Sequence, residues 1–201
     1  MRIAAALGVV AVALTLTAVL SRSHPVAIAQ VATPAACGTE RWPEKTLADP
    51  FASRVKLTPH AATVDGLRAL TKVTGIGGAR GLGTERTTYR VHATLVGIKQ
   101  EADSDFHLVI ADPTSGKTMI VEFPNQSCTL GAAATLRTKM QTARVAVVTA
   151  CGFAPNSSYR HIAGTATITG VGFFDFPHHQ TGHAPNDIEL HPVLKFSGSC
   201  I

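Results

Sequence analysis

Between Asp175 and His191 the chain carries Asp175, His178, His179, Gln180, His183, Asn186, Glu189 and His191, in a protein whose charged fraction is only 15%. Imidazole, carboxylate and carboxamide in one short stretch suit three kinds of chemistry. They can hold a metal ion, pass protons, or hydrogen-bond a polar ligand. Imidazole and carboxylate ligands together suit Zn²⁺ or another divalent transition ion, so His183, His191 and Glu122 form a candidate metal set. His179 and His183 have the i, i+4 spacing of a helical pair, but Gly182 and Pro185 favour a turn there. The plainer alternative stays open: Asp175 and Asn186 cap turns, Gly182 and Pro185 shape a loop, and the histidines sit in water. No GxSxG, HExxH or Cys/His nucleophile pattern is present, so nothing points to a covalent mechanism.

Two strand-like runs flank this cluster and must position it. Ala166 to Phe176 precedes it, and Ile188 to Phe196 follows with Ile188, Leu190, Leu194 and Phe196 on its apolar side. Alternation then puts Glu189 and His191 on the polar side, with Pro192 at an edge or bulge. Upstream, Tyr89 to Lys99 alternates Val91, Ala93 and Leu95 against Arg90, His92 and Thr94. Phe106 to Ala111 and Lys117 to Phe123 complete a meander, with His107 and Glu122 on its polar faces. Ala132 to about Arg144 repeats apolar residues at helical spacing, and RVAVVTACGF fits either its continuation or a short strand.

Three strands, a helix and two strands in about 110 residues is the element order of a five-stranded, OB-like Greek-key barrel. The expected organisation is a signal peptide over 1–29, an irregular arm and glycine-rich connector over 30–88, and a barrel domain over 89–201. In the arm only one short helix is expected, capped by Thr63, with Val64, Leu67 and Leu70 on one face. The glycines between 75 and 83 do not form a nucleotide loop, because Arg80 stands where GxGxxG needs its third glycine and no Lys-Ser/Thr follows. Trp42 and Pro43 are expected to pack the arm onto the barrel.

The opening MRIAAALGVVAVALTLTAVL is an export leader, and Ala27-Ile28-Ala29 supplies the small residues for cleavage before Gln30. An uncleaved anchor is the alternative, since Ile3 to Leu20 is at the short edge of a membrane span. After cleavage no stable membrane span is expected. Losing Arg2 and Arg22 from 18 basic residues leaves 16 against 13 acidic ones, a net of +3, which supports nucleic-acid binding only weakly. All four cysteines, Cys37, Cys128, Cys151 and Cys200, lie beyond the leader, and an even count suits two disulfides in an oxidising compartment. Cys128 is expected to pair with Cys151, clamping the helix, and Cys37 with Cys200.

The segments EADSDFHLVIADP, TMIVEFP, GVGFFDF and NDIELHPVL, with ERWPEKTLADP upstream, resemble an uncharacterised family of exported bacterial proteins, over roughly Glu40 to Phe196. The resemblance implies a secreted or periplasmic location and brings no activity or catalytic residues with it. At the level of fold alone the chain is similar to OB-fold binders and, more remotely, to staphylococcal-type nucleases. The Asp103-Ser104-Asp105 turn resembles the acidic turn of those nucleases, but no matching arginine pair is present.

Two functional expectations follow. The first is an exported binding module for an oligosaccharide, nucleic acid or protein, held between the strand face and the 176–187 loop. The alternative is a metal-dependent hydrolase, such as a phosphoesterase, with a carboxylate as general base. The cluster Glu122, Glu189 and His191, with His178, His179 and His183 above it, serves either.

Overall fold

The computed structural model describes residues 37–72, 75, 78–81, 83–177 and 179–201. The expected leader and cleavage site before Gln30, and His178, lie outside the described residues. The period-two run that begins near Tyr89 becomes the longest strand, β2 (Thr87–Gln100), preceded by β1 (Lys56–Ala62) and followed by β3 (Phe106–Ala111) and β4 (Thr118–Phe123). A two-residue strand β5 (Arg160–His161) precedes β6 (Gly164–Phe174) and β7 (Ile188–Cys200). The helices are α1 (Trp42–Lys45), α2 (Val64–Arg68) and α3 (Ala134–Cys151).

The sheet runs β2-β3-β4-β7-β6 and closes because β6 also pairs with β2. Only the β4–β7 contact in this ring is parallel. That is the five-stranded OB arrangement, with α3 between its third and fourth strands as the element order predicts. β2 serves two neighbours by dividing its length. Thr88 to Thr94 pair with β6, and Thr94 to Gln100 pair with β3 across a register shift between Leu95 and Gly97. Gly97 at this shift makes room for Tyr159, since a Cβ there would lie 2.1 Å from its hydroxyl oxygen and the ring would have to move.

The barrel interior is filled by Val91, Leu95, Leu108, Val121, Ile168, Leu190 and their neighbours. RVAVVTACGF resolves as helix: α3 runs on to Cys151 and stops at Gly152, whose φ of 70° supplies the left-handed C-cap. Leu136, Met140, Ala143 and Val147 form its buried stripe, and the helix packs along β7. Among the described residues no helix is long and apolar enough to cross a membrane.

The arm is mostly turns and short helices, with Thr63 capping α2 by accepting from the Gly66 amide. It also contributes β1, which the sequence did not announce and which joins β2 in parallel. Arg80, the residue that spoils the glycine motif, turns out to be an anchor. Only 2% exposed, it pairs with Asp49 at 2.9 Å and donates to the carbonyls of Glu44 and Glu85.

The disulfides correct the expected pairing. The bridges are Cys37–Cys128 and Cys151–Cys200, with Cα separations of 5.6 and 4.6 Å. Cys128 follows β4 in a short turn against the arm, where the Trp42 indole donates to its carbonyl at 3.1 Å. Cys151 ends the helix that packs along β7, and that strand ends at Cys200. Each bridge therefore joins elements that already touch.

Candidate functional site

The polar faces of β3, β4 and β7 point away from the barrel core, yet they are buried. Every residue of β3 is buried, as are the last five of β4 and the first seven of β7. The cover is shared by the 175–187 loop, whose Thr181 carbonyl meets His107 and whose Gly182 lies against Val109 of β3, and by the arm, which reaches the start of that loop through Lys45. Arg41 makes a bidentate bond to Glu85 at 2.8 Å, donates to the Phe174 carbonyl, and lies 4.4 Å above the Phe173 ring. Lys45 binds Asp175 at 2.9 Å. Charged residues expected on a wet strand face thus become an enclosed network.

Two histidines organise it. His107, fully buried, places Nδ1 2.8 Å from Glu122 Oε1 and 3.3 Å from Glu101, while Nε2 meets the Thr181 carbonyl at 3.1 Å. Burial opposes charge on this imidazole, but the Glu122 carboxylate and the remaining acceptors outweigh it and raise the pKa to about 9. His191 spans Asp105 at 3.4 Å and Glu189 at 3.7 Å, with Phe173 packed edge-on against it. It too is disfavoured as a cation by burial and restored by those carboxylates, to about 9. Burial pushes the Glu122, Glu189 and Asp105 carboxyls above their ordinary range despite the imidazoles. For Asp175, burial is overcome by Lys45, and its pKa falls.

His191 reaches this position because β7 is irregular there. Gly170 pairs with Val193 and Gly172 with Leu190, so three steps along β7 match two along β6 at His191-Pro192. The expected bulge at Pro192 is present, and its peptide bond is cis.

A cavity of about 280 Å³ opens onto the network. Glu122, Glu189 and His191 form its strand wall, Asp175 and Gln180 come from the 175–187 loop, and Glu101 and Asp103 from the β2–β3 turn. Trp42 and Lys45 close it from the arm. The Oε2 atoms of Glu122 and Glu189 are buried without a hydrogen-bond partner among the described residues.

The sequence candidates divide into three groups. Asp175, Gln180, Glu189, His191 and Glu122 are brought together at the cavity. His179 and His183 are exposed, their rings 6.0 Å apart, with His183 Nδ1 on the Gln180 carbonyl at 2.7 Å. Asn186 is a clip: its amide donates to the Leu67 and Leu70 carbonyls and its oxygen accepts from Ile188. Among the described residues no group of three or more His, Cys, Asp or Glu is arranged to hold a metal ion. The expected set of His183, His191 and Glu122 does not form, because the turn keeps His183 at the surface. His107, placed by alternation on a polar strand face, is buried at the centre, whereas His92 is exposed. Lys45, Glu101 and Asp105 escaped the sequence reading, and the acidic Asp103-Ser104-Asp105 turn was their one visible signal.

No protein-family model matches the chain, and no curated protein or solved structure matches it either.

Proposed function

We propose that the protein is an exported OB-type binding module that takes the end of an oligosaccharide into the cavity beside Glu122, Glu189 and His191. The observation that carries this is the acidic cavity itself, lined by Glu101, Asp103, Glu122, Asp175 and Glu189 and set at the loops OB barrels use for ligands. An ionised carboxylate only accepts hydrogen bonds, so the fitting ligand brings donors, as sugar hydroxyls and amino groups do. Nucleic acid fits poorly, since its phosphates bring acceptors and negative charge to a cavity lined by Glu40, Glu101, Asp103, Glu122, Asp175 and Glu189. At about 280 Å³ the cavity lies at the small end of the ~300–1,000 Å³ range of ligand sites, which suits a sugar unit better than a protein surface. The apolar leader and the two disulfides support export.

A metal-dependent hydrolase at the same residues would need a ligand set that the described residues do not form. Calorimetric titration with neutral and amino-bearing oligosaccharides, beside single-stranded DNA, tests the binding reading. The expected result is saturable binding of a saccharide, weakened about tenfold by Glu122→Gln or Glu189→Gln through loss of a buried charged acceptor. Saccharides that do not bind, or that bind both variants as well as the parent, would overturn it.

A further inference from the structure

The charges of this chain are segregated. From Phe123 to Phe174 there is no Asp or Glu, and from Leu190 to Ile201 there is none either, while Arg137, Lys139, Arg144, Arg160 and Lys195 fall in those stretches. Where β1, β2, β6 and β7 meet the first half of α3, the outer barrel wall carries a second groove of about 470 Å³. Its charged lining is Arg90, Lys139 and Lys195, with no carboxylate. All three are exposed, and none makes an ion pair or side-chain hydrogen bond among the described residues.

The ladder arranges them. Arg90 of β2 is the direct partner of Thr169 of β6, and Thr169 is the direct partner of Lys195 of β7. A cation, a hydroxyl and a cation therefore lie in one row across three adjacent strands, spanning about 10 Å at the usual interstrand spacing. Thr167, one pleat along β6, supplies a second hydroxyl to the same face. Thr88, at the head of β2, lines the groove with no exposed area, and its Oγ1 has no hydrogen-bond partner.

We propose that this groove is a second binding site, for an acidic polysaccharide whose carboxylates sit on Arg90, Lys139 and Lys195 and whose hydroxyls meet the threonine row. Uncompensated positive charge in a groove attracts an anionic chain. The lining has no aromatic ring, so single-stranded nucleic acid finds no base-stacking platform. Across Arg90, Thr169 and Lys195 the ladders that join β2, β6 and β7 are already made, so an extended acidic peptide crossing that row finds no strand edge there with which to pair its backbone.

The test is titration of the intact protein with an oligogalacturonate at two salt concentrations, beside a neutral oligosaccharide, a poly-glutamate peptide and single-stranded DNA of matched charge. The expected result is preferential, salt-weakened binding of the uronic-acid chain, reduced at least about tenfold in Arg90→Glu/Lys195→Glu and unchanged in Glu189→Gln. Because the paired reversal lies on the sheet, Lys139→Glu on the helix surface is the second variant, and it should weaken binding while leaving the thermal midpoint in place. No binding, equal binding of poly-glutamate or DNA, or binding indifferent to both variants would overturn the proposal.

Discussion

Lys45 and Asp175 stand 130 positions apart in sequence, yet the ammonium lies 2.9 Å from the carboxylate, joining α1 of the arm to the residue just beyond β6. Both side chains are about nine-tenths buried and both line the acidic cavity. The contact therefore locks the cover onto the barrel and completes the candidate site in one step.

Breaking that pair from one side should be expensive. Lys45→Met leaves Asp175 buried without its cation, at an expected cost of about 3 kcal/mol. Lys45→Met/Asp175→Asn should recover much of the loss. Urea unfolding of the two single variants and the double variant checks this, and additive losses would show that the residues do not act as a pair.

Stability should fall on the alkaline side of neutrality. For His107 and His191 the folded pKa is raised from 6.5 to about 9, so their contribution is complete below about 6.5 and is lost as pH climbs through 9. The raised carboxyls of Glu122 and Glu189 act in the same direction. Asp175 acts oppositely: its pKa is lowered from 3.8, and its contribution is lost as pH falls through that region. The thermal midpoint should therefore peak on the mildly acidic side and decline between pH 6.5 and 9. His107→Gln should flatten that decline, and a parent curve already flat over this range would contradict the assignment.

Leu190 and Glu189 are adjacent on β7 but face opposite sides of the wall. Leu190 is fully buried in the barrel core, and Leu190→Ala should cost about 2 to 5 kcal/mol as a cavity. Glu189→Gln keeps the shape and a hydrogen-bonding oxygen and removes a charge that burial already disfavours, so it should cost less than Leu190→Ala. Guanidinium unfolding of the two variants distinguishes core from site.

Peptide mapping under non-reducing conditions should recover Cys37 with Cys128 and Cys151 with Cys200. The closed loops, with sequence separations of 91 and 49, are each worth about 4 to 5 kcal/mol in the chain-entropy model. Removing the Cys37–Cys128 bridge should loosen the arm first, seen as faster proteolysis near Trp42 while the barrel persists.

Periodicity and element order by themselves determined the barrel. Alternation at Val91, Ala93 and Leu95, the helical stripe through Leu136 and Met140, and the sequence of strands around α3 are local signals, and closure buries their apolar side in only a few ways. Local pattern likewise separated Leu190 from Glu189 and His191, because a strand turns successive side chains to opposite faces. What covers the outer face was a tertiary decision. Arg41, Lys45 and Arg80 are ordinary surface residues by type, yet Arg41 and Arg80 brace the arm internally on Glu85 and Asp49 while Lys45 crosses to Asp175, at the start of the loop whose Thr181 carbonyl covers His107. That cover made His107, on a polar strand face by pattern, a buried imidazolium and left His183 outside. The cysteine pairing belongs with it, since spacing along the chain says nothing about which ends meet once α3 lies along β7 and the arm reaches Cys128.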